Sequence, residues 1–100
     1  MTEGPKLLPP PAMQPSTDKL AKLLPPYAVI LHNDDVHDME YVVTSLLRCV
    51  PSLNQQRATE IMLEAHNSGR SPVIVCPLEP AELYRERLQS RGLIATIESA

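Results

Sequence analysis

The stretch HNDDVHD, residues 32–38, places five ionisable side chains within seven positions. Clustered carboxylates can bind a cation, coordinate a metal ion or act as general acids and bases, and a neutral imidazole adds a hydrogen-bond acceptor. Asp and Asn are also common in turns for conformational reasons alone. The cluster therefore predicts either a binding site or a solvated loop. The strand and the helix on either side of it help to distinguish these two interpretations.

An apolar strand precedes this cluster and an amphipathic helix follows it. The run YAVILH, residues 27–32, is rich in β-branched and aromatic residues and ends in polar turn residues, which predicts a strand. The segment DMEYVVTSLLRCV repeats its apolar residues at helical spacing, with Asp38 and Glu40 at the end where the helix dipole is positive. The charged loop is thus expected directly beside an apolar helix face.

Two further helices and two further strands complete the predicted order. Asn54 is a favourable N-cap for the helix NQQRATEIMLEAHNS, and Gly69 suits a left-handed cap at its end. SPVIVCP and LIATIE are predicted strands, and PAELYRERLQSR is a helix that Gly92 terminates. The order βααβαβ predicts an α+β fold, a compact sandwich of three helices packed on a three-stranded sheet.

The first 26 residues differ from the rest of the chain. They contain seven of the eleven prolines, and no amphipathic period lasts long enough to form a helix with a buried face. Pro25 and Pro26 favour extended backbone and so end any short helix before them. We therefore predict a flexible, disordered N-terminal arm over residues 1–26 and one folded domain over residues 27–100.

Composition excludes several classes of partner. The net charge is −3 and the nine Lys and Arg residues are scattered, so we expect no nucleic-acid partner. Apolar runs such as AVIL and PVIV are far shorter than the roughly 20 residues that cross a bilayer, and the N-terminus is unlike a secretory signal. Cys49 and Cys76 lack the spacing of a disulfide or zinc motif. We expect a soluble cytoplasmic monomer without a membrane partner, a bound metal or a cofactor.

Two chemistries remain open for the charged loop. A small metal-dependent enzyme could use His32, His37, Asp34 and Asp35, although these neighbours lack the helical spacing that aims imidazoles at one ion. The sequence contains no recognisable nucleophile turn and no glycine-rich phosphate loop. The alternative is recognition of a cation beside apolar side chains, and a free peptide N-terminus fits, because its ammonium has three donors and lies next to a side chain.

Two blocks of the sequence closely resemble the bacterial adaptor family ClpS. These are VILHNDDVHDMEYVV and RATEIMLEAHNSG, and the resemblance extends through PAE to GLIATIE, covering about residues 27–98. Members of this family deliver proteins with destabilising N-terminal residues to the ClpA or ClpC unfoldase of the Clp protease. The resemblance implies helices against a three-stranded antiparallel sheet, a disordered N-terminal arm and no enzymatic activity.

The resemblance also implies roles for individual positions. Three residues match those that bind the α-amino group of a substrate: Asn33, Asp34 and His66. Asp35 belongs to the same acidic motif and is predicted to lie at the same site. Residues expected to line or border the pocket for a Leu, Phe, Tyr or Trp side chain are His37, Met39, Val42, Met62, Ala65 and Leu93. Residues expected to face the N-terminal domain of the unfoldase are Glu79, Glu82, Tyr84 and Arg85.

Three places depart from the family pattern. His37 and Asp38 stand where Thr-Pro is usual, which puts a titratable ring near the pocket mouth. Ala65 stands where a larger Val is common, which is expected to widen the pocket. Tyr84 stands where a basic residue is expected, with Arg85 beside it. A ClpS-like module that binds peptides without delivering them to a protease is therefore a second prediction.

Overall fold

Six elements make up residues 24–100, the part of the chain that the computed structural model describes. They are β1 (Pro26–His32), α1 (Met39–Cys49), α2 (Gln55–Ser68), β2 (Arg70–Pro77), α3 (Leu78–Ser90) and β3 (Ala95–Ser99). The strands form an antiparallel sheet in the order β2-β1-β3. This confirms the predicted α+β fold of three helices on a three-stranded sheet. Residues 1–23, most of the predicted arm, lie outside the described residues.

The central strand β1 is buried on both faces. Val29 and Leu31 belong to the core between the sheet and the helices, while Ile30 faces the other way and is still only 2% exposed. Arg70 Nη2 donates to Glu98 Oε2 across 2.6 Å, from one outer strand to the other, so that the pair passes over β1. An exposed ion pair contributes little energy, but its aliphatic stems shield apolar surface. We attribute the burial of Ile30 to this cover.

Local capping signals set the helix boundaries. Asp38 caps α1 by accepting from the backbone N–H of Tyr41 at 2.7 Å, and Asn54 caps α2 by accepting from that of Arg57 at 2.8 Å. Gly69 ends α2 in the left-handed conformation, with φ of 92°, and its N–H donates to the carbonyl of Ala65. The predicted caps at Asn54 and Gly69 are confirmed. They could be predicted from the sequence because each depends mainly on the type of the capping residue.

Two predicted boundaries are wrong by two residues. Helix α3 begins at Leu78, before Pro80, which costs no hydrogen bond because the first N–H groups of a helix have no acceptor within it. Strand β3 begins at Ala95, whereas the apolar pattern placed its start at Leu93. The N–H of Leu93 donates instead to the carbonyl of Leu88, as part of the turn at Gly92 that closes α3.

Polar groups inside the fold are paired, and the cysteines are not linked. Ser45 and Ser71 are fully buried; Ser45 accepts from Arg91 Nε at 2.7 Å, and Ser71 donates to a Glu64 carboxylate oxygen at 2.8 Å. Cys49 and Cys76 are both free thiols, and burial raises the pKa of each. In the described residues, no helix is long and apolar enough to cross a membrane. The largest fully buried apolar side chains are Leu31, Leu46, Ile61, Leu88, Val29 and Val50.

Candidate functional site

Backbone hydrogen bonds hold the charged loop at its start. The N–H of His32 donates to the carbonyl of Ile94, and the N–H of Asn33 donates to the carbonyl of Gly69, both at 2.9 Å. Gly69 caps α2 one turn after His66, so the second bond brings the beginning of the loop to the end of the helix that carries His66. The resemblance grouped these distant positions, and this bond explains how the fold places them together.

Asp34 folds back on its own loop. Its Oδ1 accepts from the backbone N–H of Val36 at 2.7 Å and from that of His37 at 3.2 Å. Its Oδ2 is 2.5 Å from His37 Nδ1, and only 6% of the side chain is exposed. Burial by itself raises the pKa of Asp34, but the bonds from the His37 ring and the two N–H groups outweigh it and bring the pKa below its ordinary value. The carboxylate is therefore ionised at neutral pH.

The lowered pKa of Asp34 predicts an effect on stability in acid. A carboxylate with a lowered pKa in the folded state contributes stability above its unfolded pKa of 3.8, and this contribution is lost as the pH falls through the folded value. We expect Asp34→Asn to flatten the acid limb of the free energy of unfolding between about pH 5 and pH 3. Urea unfolding at several pH values measures this, and parallel curves for parent and variant would contradict it.

Asn33 and His66 add acceptors beside Asp34. Asn33 Nδ2 donates to Asp35 Oδ1 at 3.3 Å, which leaves the Asn33 carbonyl oxygen as the acceptor on that side chain. Asp35 is exposed at the outside of the loop. His66 is exposed at the end of α2, and a neutral imidazole offers one acceptor nitrogen. Acceptors from two separate segments of the chain therefore border one site.

An apolar cavity includes these acceptors in its lining. Its volume is about 330 Å³, at the small end of the range for ligand pockets. Its lining includes the buried side chains of Leu31, Val42, Met62 and Ala65, whereas Met39, which also lines it, is 46% exposed. The complete lining is Leu31, His32, Asn33, Asp34, Asp35, His37, Asp38, Met39, Val42, Met62, Ala65 and His66.

All but one of the predicted substrate-binding residues line this cavity. All four predicted amine-binding residues line it, as do five of the six predicted pocket residues. Leu93 does not: it is 4% exposed, belongs to the core and is absent from the lining. Sequence reasoning missed Leu31 and Asp38 as lining residues, and it considered His32, which also lines the cavity, only as a metal ligand. The signal for Leu31 was its position, one residue before the charged cluster and on the core-facing side of β1.

The arrangement suits a cation attached to an apolar group. A carboxylate has about four lone-pair sites, and three hydrogen bonds within the loop leave roughly one on Asp34 for a ligand. The Asn33 oxygen and the His66 imidazole could supply the two others that an ammonium needs. A side chain next to that ammonium would enter the apolar interior. These features are typical of a small domain that binds a ligand.

The loop does not form the metal site considered as an alternative. His32 Nε2 lies 2.7 Å from Thr96 Oγ1 on β3, whereas the His37 ring is bonded to Asp34. Across residues 24–100, no three His, Cys, Asp or Glu side chains lie where they could hold one metal ion. The two imidazoles are each engaged by a different partner, so the geometry favours the binding interpretation of the loop.

The four positions predicted to face an unfoldase divide into two pairs. Glu79 and Glu82 are exposed and lie three positions apart, on one side of α3. Tyr84 and Arg85 are half-buried, and the Tyr84 ring packs against the core. Helical spacing explains the division, because Tyr84 and Arg85 turn toward the buried side of α3 that carries Ala81.

Comparison with known proteins identifies the family. The model of the ATP-dependent Clp protease adaptor protein ClpS matches residues 22–96. The Clp protease adapter protein ClpS of Synechococcus elongatus is 52% identical over 85% of this chain and 90% of its own length. The chloroplastic adapter CLPS1 of Arabidopsis thaliana is 42% identical over 80% of this chain, which spans 50% of that protein.

A solved structure agrees with these sequence relationships. Agrobacterium tumefaciens ClpS2, bound to L-phenylalaninamide, superposes with a TM-score of 0.68 and 28% identity, over 76% of this chain and 98% of that one. This chain belongs to the ClpS family of Clp protease adaptors. It is therefore an adaptor protein rather than an enzyme, because the family description and the names of its relatives are those of protease adaptors.

Proposed function

We propose that this protein binds the free N-terminus of proteins that begin with a bulky hydrophobic residue, namely Leu, Phe, Tyr or Trp, and delivers them to the ClpA or ClpC unfoldase of the Clp protease. The observation that carries the proposal is the apolar cavity of about 330 Å³ with Asp34, Asn33 and His66 in its lining. Residues 27–100 would bind the substrate, and residues 1–26 would form an arm outside the binding domain.

The expected energies suit a carrier that must release its cargo. Burying a Leu side chain contributes about 1.5–3 kcal/mol. Two or three hydrogen bonds between an ammonium and these acceptors contribute about 1.5–3 kcal/mol each. The gross total of roughly 5–12 kcal/mol is reduced by the cost of ordering the peptide. A dissociation constant near micromolar, about −8 kcal/mol, lies toward the favourable end of this range.

The ligand named in the solved relative supports this choice of substrate. L-phenylalaninamide, bound to Agrobacterium tumefaciens ClpS2, combines a free α-amino group with a benzyl side chain and a neutral amide. It therefore resembles the first residue of a protein that starts with Phe. The acceptors and the cavity of the present chain offer one partner to each half of such a ligand.

Delivery would use the exposed side of α3. Glu79 and Glu82 supply negative charge there, and Leu78 and Leu83 are 42% and 45% exposed. Exposed apolar groups rimmed by charge are typical of protein-binding surfaces. Tyr84 and Arg85 are placed less favourably, because both are half-buried. That observation favours the second candidate, a module that binds peptides without delivery, and experiment has to separate the two.

We expect a labelled Leu-initiated peptide to bind the full chain with a dissociation constant near micromolar. We also expect the protein to accelerate degradation of a Leu-initiated reporter by the Clp protease.

The double variant Glu79→Lys and Glu82→Lys should reduce binding to the N-terminal domain of the unfoldase by at least about tenfold and leave peptide affinity unchanged. Glu60→Lys on α2 is the matched charge-reversal control, because Glu60 is exposed and lies on a different helix.

Each outcome selects one interpretation. Peptide binding with accelerated degradation supports the adaptor. Peptide binding without any effect on degradation, and without binding to the unfoldase domain, supports the module that does not deliver. Absence of binding to peptides starting with Leu, Phe, Tyr and Trp would overturn the proposed function of the cavity.

A further inference from the structure

We propose that His37 is a positioning residue, whose ring holds the Asp34 carboxylate in the orientation that receives the ligand ammonium. This inference rests on the proposed function and deepens it, because it assigns a role to a side chain that was expected only to border the apolar pocket. His37 acts through Asp34, and its own contribution to the ligand site is the orientation of that carboxylate.

The direction of the hydrogen bond follows from the chemistry of the two groups. Asp34 has a lowered pKa and is an ionised acceptor at neutral pH. His37 Nδ1, at 2.5 Å from Asp34 Oδ2, must therefore carry the proton and donate it. Asp34 Oδ1 is held separately by the backbone N–H groups of Val36 and His37. With one oxygen fixed by the backbone and the other by the ring, the carboxylate plane has one orientation.

The His37 ring is itself confined on two sides. It stacks on Tyr41, with ring centroids 4.7 Å apart and planes inclined by 13°. On another side it approaches Gly92 so closely that a Cβ atom there would lie 3.1 Å from its Cε1 and Nε2 atoms. Gly92 also has a φ of 85°, in the left-handed region that favours glycine. Any side chain at residue 92 would be in close contact with the imidazole. The turn after α3 therefore limits the positions that the His37 ring can adopt.

A chain of contacts connects this ring to the fold. The Tyr41 hydroxyl donates to the Arg91 carbonyl at 2.7 Å, and the Arg91 guanidinium lies over the Tyr41 ring at 5.1 Å from its centroid. Arg91 Nε donates in turn to the buried Ser45 on α1. The orientation of Asp34 is thereby fixed by α1 and by the turn after α3, and not by the loop alone. Preorganisation of this kind improves affinity because less has to be ordered on binding.

Two substitutions of His37 separate positioning from packing. In His37→Asn the amide nitrogen takes nearly the place of Nδ1 and can still donate to Asp34, whereas in His37→Gln it takes nearly the place of Nε2, toward Gly92. A packing role would favour Gln, which fills more of the space between Tyr41 and Gly92. A positioning role favours Asn. We expect Asn to keep the affinity for a Leu-initiated peptide within about threefold of the parent, and Gln to lose about tenfold.

The decisive readout is the ratio between the affinities for a free and an N-acetylated Leu peptide, measured by fluorescence anisotropy on the full chain. Loss of Asp34 orientation should lower this ratio, whereas general loosening of the cavity weakens both peptides together. The ratio is expected to persist in His37→Asn and to fall in His37→Gln. His37→Ala, which also lacks a donor, repeats the test if the Gln variant does not fold, and thermal unfolding verifies each variant.

Outcomes against the proposal are distinct from failure of the proposed function. If the parent binds no peptide, the function of the site is wrong. If the parent binds and discriminates, but the Asn, Gln and Ala variants retain the same ratio, His37 does not position Asp34. If Gln retains the ratio and Asn loses it, the ring acts by filling space, and the proposal is overturned.

Discussion

Acetylation of the N-terminus of a Leu-initiated peptide is expected to weaken its binding by roughly 30-fold to several thousand-fold. The corresponding cost of about 2–5 kcal/mol is the range for breaking a desolvated charged pair. The acetylated nitrogen has no charge and only one N–H, so it cannot satisfy Asp34, Asn33 and His66 together. Asp34 makes the largest part of this effect, because its side chain is only 6% exposed and water cannot easily replace the lost ammonium.

The free and acetylated peptides should be identical in every other position, so that apolar burial cancels in the comparison. Asp34→Asn provides the control on the protein: it keeps an acceptor for the backbone of the loop but has no negative charge, and it should lose most of its preference for the free peptide. The salt concentration should be fixed, because part of the attraction is electrostatic and is screened. Equal affinity of the parent for both peptides would exclude this site as an amine receptor.

Elements with local signals were predictable from the sequence. The strand β1 and the cap residues Asn54 and Gly69 were assigned correctly, because a capping side chain or a left-handed glycine acts on its immediate neighbours. The starts of α3 and β3 were each predicted two residues away from their observed positions. Before β3 the chain forms a hydrogen bond from the N–H of Leu93 to the carbonyl of Leu88, which no apolar pattern reveals.

The resemblance named most of the residues that line the cavity, but it could not predict how they are arranged there. The resemblance brought together Asn33 and His66, which are 33 positions apart, and the fold joins them through the backbone bond at Gly69. It could not indicate that the replacement at His37 would be bonded to Asp34. That contact depends on Tyr41 one turn later in α1 and on Gly92 more than fifty residues away. Departures from a family pattern take their meaning from such tertiary neighbours.

The same limit applies to surface and core positions. Leu93 was expected in the pocket and lies in the core, and Tyr84 was expected on an exposed surface and packs partly inward. Both lie on or just after α3, where one residue of register decides between exposure and burial. The exposed pair of Glu79 and Glu82 on α3 illustrates the opposite outcome.

Filling the cavity from within should abolish the preference for a large N-terminal side chain. Ala65 is 3% exposed and lines the apolar interior. In Ala65→Leu the added carbons would occupy the space reserved for the ligand. The peptide would lose about 1.5–3 kcal/mol of apolar burial, which is about 10- to 200-fold in affinity. The free protein should not be destabilised, because filling a cavity commonly adds about 0.5–2 kcal/mol to the free energy of unfolding.

The matched comparison uses a Gly-initiated peptide, which has the ammonium but no side chain. In the parent, the Leu peptide should bind much more tightly than the Gly peptide, whereas in Ala65→Leu the two affinities should converge. Thermal unfolding of the variant distinguishes a filled pocket from a damaged fold: a melting temperature equal to or above that of the parent indicates filling. Retention of the full preference for Leu would show that Ala65 does not face the ligand.

A smaller change at the same position tests whether Ala65 sets the size limit of the pocket. Ala65→Val restores the larger residue common in the family and adds two carbons at the cavity wall. If these carbons narrow the interior, a Trp-initiated peptide should lose more affinity than a Leu-initiated one, because the larger ring has less room to shift. Isothermal titration of both peptides against parent and variant gives the two ratios. Equal losses for Trp and Leu would mean that the flexible methionines Met39 and Met62, rather than Ala65, determine which side chains the cavity accepts.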